Sequence, residues 1–179
     1  MAVTIRPVQA TDIPTITSIY ADAVTHSTAT YELGPPDESE MSNRIDSLKD
    51  SGFPYFVAVD DSSQVLGYAY ISPFRTRPAY RFFVENSVYI SSDAKGKGIG
   101  RMLMERLIQE CGALGFRQIV AVIGDGGAES ASVKFHEKLG FRHVGKLEGS
   151  GFKFGRWLDT VLMQLSVNGG TATLPEDTR

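Results

Sequence analysis

The sequence holds a single cysteine, Cys111, so no disulfide can form within the chain. Its three histidines are scattered and stand near no second cysteine, so the spacing of a Cys/His zinc site is missing. No apolar run approaches the roughly 18 residues a membrane-spanning helix needs, and the N-terminus lacks the apolar stretch of a secretory signal. There is no Asn-x-Ser/Thr sequon. Charge of one sign is also scarce: 18 Lys and Arg against 21 Asp and Glu leave a net charge of −3. The basic residues gather on no single stretch long enough to follow a phosphate backbone, which argues against nucleic acid as the main ligand. These absences point to a cytoplasmic protein with no metal, nucleic acid or membrane as partner.

What is present is the composition of an ordinary globular chain, with 42% apolar and 22% charged residues in 179. A chain of this size buries roughly 70% of its unfolded surface and needs no disulfide or metal to hold it. It reads as one domain over residues 1–167, followed by a polar tail, 168–179, bearing Gly, Thr and Pro, expected to be disordered.

Periodicity divides the chain further. Thr4 to Val8 reads as a short strand. A helix then starts near Thr11, its candidate N-cap, with Pro14 tolerated in the first turn. Ile13, Ile16, Ile19, Tyr20, Ala23 and Val24 recur at helical spacing, as do Met41, Ile45 and Leu48 after the Pro35-Pro36 break. Tyr55–Val59 and Val65–Ser72 form a hairpin around turn residues, and Phe82 to Ile90 makes a longer strand. A third helix carries Ile99, Leu103, Leu107 and Cys111 on one face and stops at Gly115. Gln118 to Ile123 is a β-branched run of the buried type, Ser130 to Leu139 a short helix, and two strands close the chain near Phe152 and Leu165. The order β, α, α, β, β, β, α, β, α, β, β implies a mixed sheet with helices on its faces.

The most telling stretch runs from Ser87-Val88-Tyr89-Ile90 through Lys95-Gly96-Lys97-Gly98-Ile99-Gly100-Arg101. A strand enters a loop with three glycines, and the loop opens a helix. Glycines let backbone N–H groups approach a ligand, and the helix N-terminus favours an anion such as pyrophosphate. By spacing alone a plain tight turn is also admissible. The pattern is neither a Walker loop nor GxGxxG, since the glycines fall at alternate positions.

This segment resembles motif A of the GCN5-related N-acetyltransferases (GNAT), with Lys95 where that family has Gln or Arg. The resemblance narrows to the phosphinothricin and methionine sulfoximine N-acetyltransferases over four blocks: Val84-Glu85-Asn86-Ser87-Val88-Tyr89-Ile90; Val120-Ala121-Val122-Ile123-Gly124; Ser132-Val133-Lys134-Phe135-His136-Glu137-Lys138-Leu139-Gly140-Phe141; and Gly151-Phe152-Lys153-Phe154-Gly155-Arg156-Trp157-Leu158-Asp159. It implies a GNAT fold: a mixed α/β chain with a twisted, mostly antiparallel sheet of six to seven strands and about four helices on both faces. It also implies an acetyl-CoA-dependent N-acetyltransferase acting on the α-amine of a small amino-acid-like acid, and a homodimer.

Residue by residue, the resemblance makes Glu85 the base that takes the amine's proton. It makes His136 a second catalytic group near the thioester sulfur. Val88, Tyr89 and Ile90 line pantetheine and acetyl, and a backbone N–H near Tyr89 and Ile90 serves as oxyanion donor. Lys95, Gly96, Lys97, Gly98, Ile99, Gly100 and Arg101 hold the pyrophosphate. Glu129 departs from the family, which places a cofactor-contacting asparagine seven residues before this histidine. Arg75, Thr76 and Arg77 are expected at the substrate's acid end, where arginine reads a multi-oxygen anion with paired hydrogen bonds, and Tyr31 walls the pocket. Lys153 and Trp157 take pocket or dimer roles. Two alternatives stay open: the same fold acting on a polyamine, aminoglycoside or protein N-terminus, and a non-catalytic acyl-CoA-binding module. Paired arginines argue against a cationic acceptor; retained Glu85 and His136 argue against the module.

Overall fold

The periodic segments fold as read. The computed structural model describes residues 2–176. In chain order it contains β1 (Thr4–Pro7), α1 (Ile13–His26), α2 (Glu38–Asp50), β2 (Tyr55–Val59), β3 (Val65–Pro73) and β4 (Phe83–Ile90). There follow α3 (Ile99–Ala113), β5 (Gln118–Gly124), α4 (Ala131–Lys138), β6 (Arg142–Lys153) and β7 (Arg156–Ser166). The strands form one seven-stranded sheet in the order β1-β2-β3-β4-β5-β7-β6. The β1–β2, β2–β3, β5–β7 and β6–β7 pairs are antiparallel and β4–β5 is parallel. That parallel ladder is short: Phe83, Val84 and Glu85 pair with Gln118, Ile119 and Val120, and the ladder ends at Glu85 while β4 continues to Ile90.

The start of α1 differs from the sequence expectation. Thr11 lies inside a 3-10 turn, Ala10–Asp12, and Asp12 takes the N-cap position. The Asp12 side chain caps no N–H of α1; its carboxylate instead receives both guanidinium nitrogens of Arg6, at 2.7 and 2.8 Å, and the N–H of Gln9 at 2.8 Å. Burial works against the charge, but Arg6 and Gln9 hold the Asp12 carboxyl below its ordinary value. At α2 the expected logic holds, with the Asp37 side chain accepting from Glu40 N–H and acidic residues in the first turn.

The chain packs as two compact units that divide β4 between them. The first comprises residues 2–27, Gly34–Ile71 and Ser87–Gln109. Its core joins Ile16, Val24, Met41, Ile45 and Val57 with a set of tyrosines. Burying each such side chain contributes roughly 1.5–3 kcal/mol before chain entropy is set against it. Tyr55 and Tyr70 stack at 4.9 Å, and Tyr89 of β4 meets Tyr20 edge-on at 5.2 Å and Tyr68 at 5.4 Å. Gly67 permits close approach of β3 and β4, since a Cβ there would lie 2.8 Å from the Tyr89 carbonyl and 2.7 Å from Ile90 Cδ1.

The second unit comprises Thr28–Leu33, Ser72–Asn86 and residues 110–176. Phe116, Ile119, Val133, Leu158 and Met163 are among its buried apolar residues. Strand β6 is exposed through Ser150 and shifts register twice against β7, at His143/Gly145 and Leu147/Gly151, as edge strands with bulges do. In the segment expected to be a disordered tail, the buried Arg117 donates to the carbonyls of Gly170 and Thr173 and to the Thr173 hydroxyl. The rest of that expectation, residues 177–179, lies outside the described residues.

Candidate active site

Strand alternation sets the side chains of β4. Val84 and Asn86 are buried, and Glu85 between them is half-buried and points to the opposite face. Desolvation alone pushes the Glu85 carboxyl above its ordinary value. A half-buried carboxylate with raised proton affinity is suited to accept a proton near neutral pH.

Asn86 meets the second predicted catalytic residue. Its amide Nδ2 lies 3.1 Å from Nε2 of His136, which is 3% exposed on α4. The other ring nitrogen, Nδ1, lies 2.8 Å from the carbonyl of Ser132 one turn earlier. A carbonyl only accepts, so this pattern assigns the proton to Nδ1 and leaves Nε2 to accept from the Asn86 amide. Burial pushes the His136 pKa down, and the Ser132 carbonyl works against that. Phe135 and Phe141 close on the ring edge-on, at 5.2 and 5.0 Å.

Arg75, Thr76 and Arg77 sit on an exposed loop before β4. Phe74 anchors it, with ring centroids 5.0 Å from Phe83 and 5.9 Å from Tyr80, and the Arg75 guanidinium lies 5.3 Å from the Phe74 ring. Tyr31 occupies a slot made by two glycines. A Cβ on Gly124 would meet its Cε1 at 2.6 Å, and one on Gly151 its Cε2 at 2.5 Å. Its hydroxyl donates to the Asp159 carbonyl at 3.2 Å and lies 3.0 Å from Thr160 Oγ1. Along β5, Gly124 is four residues past Val120, the partner of Glu85, or roughly 13 Å. Tyr31 is therefore held at the far end of the strand from Glu85. Lys153, 4% exposed, donates from Nζ to the carbonyl of Thr30 at 2.8 Å, and burial lowers its pKa. Trp157 is 70% exposed, its ring edge-on to Phe152. Glu129 extends to solvent from the loop before α4 and pairs with Lys134 at 2.6 Å.

The glycine segment belongs to the first unit. Gly96 and Gly98 have φ of +76° and +78°, and an added Cβ would meet nothing within 4 Å at either. The loop thus uses left-handed backbone and leaves open space over itself, where the first-turn N–H groups of α3 have no acceptor in the helix. Lys95, Lys97 and Arg101 are exposed around it, with Lys97 Nζ on the Asp93 carbonyl at 2.7 Å. Glycine amides, a helix N-terminus and three cations suit a pyrophosphate. Ala94 and Ile99 are buried on either side and seat the loop.

Two residues of this arrangement escaped the sequence reading. Asn86 had a detectable mark, a polar residue in phase with buried Val84. Ser132 acts through its carbonyl, which no side-chain pattern records. A solvent-open groove of about 600 Å³ beside α4, lined by Val133, Glu137, His143 and Lys146 among others, includes none of the predicted site residues.

Comparison with known proteins bears on the same features. The family described as Acetyltransferase (GNAT) domain matches residues 5–162. Phosphinothricin N-acetyltransferase of Alcaligenes faecalis is 49% identical over 175 residues, covering 98% of this chain and 88% of that one. The L-methionine sulfoximine/L-methionine sulfone acetyltransferase of Pseudomonas aeruginosa is 39% identical over 168 residues, covering 94% and 96%. The crystal structure of a GNAT superfamily phosphinothricin acetyltransferase from Sinorhizobium meliloti, in complex with AcCoA, aligns with a TM-score of 0.94 and 49% identity, covering 99% and 95%.

Proposed function

The chain belongs to the GNAT acetyltransferase family and is an N-acetyltransferase, and from that premise we propose that it acetylates the α-amine of a small amino-acid-like acid such as phosphinothricin or methionine sulfoximine, with Glu85 as base. The observation that carries this reading is the half-buried Glu85 carboxyl, raised in proton affinity, five residues before Ile90 on β4. The names of the Alcaligenes and Pseudomonas relatives support the substrate class.

Acetyl-CoA supplies the thioester. The pyrophosphate is held by the amides of Gly96 to Gly100 with Lys95, Lys97 and Arg101, and Val88, Tyr89 and Ile90 line the acyl arm. Glu129 is the residue of that set whose carboxylate would repel a phosphate, and its pairing with Lys134 offsets this charge. The acceptor arrives as an ammonium attracted to Glu85, which removes one proton. The free amine attacks the thioester carbonyl, whose developing charge meets a backbone N–H near Tyr89 and Ile90. The N–C bond forms, the C–S bond breaks, and the departing thiolate takes the second proton from the acylated nitrogen. Arg75 and Arg77, with Thr76 between them, receive the carboxylate or phosphinate end.

Thiol release from acetyl-CoA tests the reading. Saturable turnover with phosphinothricin and methionine sulfoximine, and little with a polyamine, is the expected result. Replacing Arg75 or Arg77 by Ala should raise the acceptor KM roughly tenfold, the loss of one charge-assisted hydrogen bond. Turnover on the polyamine alone would overturn it. The reading includes a homodimer, because Leu147, Phe152 and Trp157 leave apolar surface on β6 and β7 exposed by half or more. Light scattering should then give twice the 19.5 kDa chain mass, and a single chain's mass would remove the dimer.

A further inference from the structure

We infer that His136 is a positioning residue: its Nε2 accepts the Asn86 amide and so holds β4 where the β4–β5 ladder ends, serving the transfer through Asn86 and not as a proton donor of its own. The inference rests on the transferase reading of the same site.

Backbone pairing between β4 and β5 stops at Glu85 and Val120. The next residue of β4 is Asn86, and its side chain makes the next cross-connection, to α4, at 3.1 Å. His136 is fixed before it meets Asn86. Its Nδ1–H is committed to the Ser132 carbonyl at 2.8 Å, and Phe135 and Phe141 bound the ring edge-on. With Nδ1 donating, the neutral ring presents a lone pair at Nε2, and the amide donor occupies it. No Nε2 proton is then available for a leaving thiolate. Placing one there would set two donors face to face and require the amide to turn over.

The consequence for chemistry follows from strand geometry. Asn86 and Glu85 leave β4 on opposite faces, so fixing the rotation of the strand through Asn86 also fixes the direction of Glu85. His136 and Asn86 are both buried, at 3% and 6% exposure, so removing either partner deletes a hydrogen bond made away from water. The histidine type is used for what its side acceptor reaches, and its titration is not needed.

Two measurements test this. In the ¹⁵N-labelled full-length protein, the His136 ring should show a protonated Nδ1 and a bare Nε2 between pH 6 and 8; a protonated Nε2 would overturn the inference. In steady-state acetylation, His136→Phe and Asn86→Leu should each lower kcat about tenfold, the order expected for a lost buried hydrogen bond. The shape of the pH profile should stay that of the parent. The double variant should lose no more than either single one, and His136→Gln, whose amide oxygen can accept from Asn86, should recover most of the loss. If His136→Gln is as impaired as His136→Phe while Asn86→Leu is near normal, or if a limb of the pH profile disappears, His136 is itself an acid or base. Thermal melts identify a variant that fails to fold, and the ring tautomer of the parent protein then decides. A parent protein that acetylates no amine would fail the functional reading, while the tautomer would still be read.

Discussion

Glu85→Gln is expected to lower kcat/KM by about 10²–10⁴, the usual contribution of a positioned general base, with acetyl-CoA binding unchanged. Gln keeps the size and hydrogen-bonding reach of the side chain and removes only its ability to take a proton. In the parent enzyme the rate should fall as pH drops through the Glu85 pKa, which burial places above the ordinary carboxylate value. That limb should vanish in the variant. The same burial has an opposite sign for stability. A carboxyl whose folded pKa is raised favours folding while protonated and loses that contribution as pH rises through the folded value. At neutral pH the parent therefore carries a desolvated charge that Gln does not, and Glu85→Gln should melt at a higher temperature. The gap should close in acid, below the ordinary carboxylate pKa, where both side chains are neutral. Activity equal to the parent across pH, or a variant that melts lower at neutral pH, would remove Glu85 as a buried base.

What the sequence made legible is what periodicity encodes. Ile99, Leu103, Leu107 and Cys111 repeat at helical spacing, and all four are buried on α3, so Cys111 is core as its stripe implies. The β-branched run from Gln118 supplies β5, buried through Ala121. Local rules failed where a distant partner decides. Thr11 reads as the cap of α1, but it lies in a 3-10 turn whose last residue, Asp12, is held by Arg6 of β1. Tyr31 reads as an aromatic on a loop, and only the fold shows the slot between Gly124 and Gly151 that receives it. At His136 the residue type was readable, whereas the tautomer depends on a main-chain carbonyl and on an amide 50 residues away. Lys153 shows the same limit: its block suggests a pocket or dimer role, and only the fold shows its ammonium buried on the Thr30 carbonyl.

Gly98→Val should raise the KM for acetyl-CoA about a hundredfold while leaving kcat at saturation within a factor of a few. Gly98 has φ of +78°, and a β-branched residue there is strained by roughly 1–2 kcal/mol. Nothing stands within 4 Å of the added Cβ, so the fold itself offers no clash and relief comes from turning the backbone to negative φ. That turn re-aims the N–H groups at the start of α3. Losing two hydrogen bonds to a charged pyrophosphate, at about 1.5 kcal/mol each, comes to about 3 kcal/mol, or roughly a hundredfold in affinity. The phosphate lies far along the cofactor from the thioester, so once acetyl-CoA is forced on, Glu85 meets the same reacting atoms. This variant and Glu85→Gln should therefore fail in opposite ways, one in cofactor KM and the other in kcat. A Gly98→Val enzyme with parental acetyl-CoA KM would place the pyrophosphate away from this loop. One that loses kcat alone would mean the loop shapes β4, whose last residue lies eight positions before Gly98.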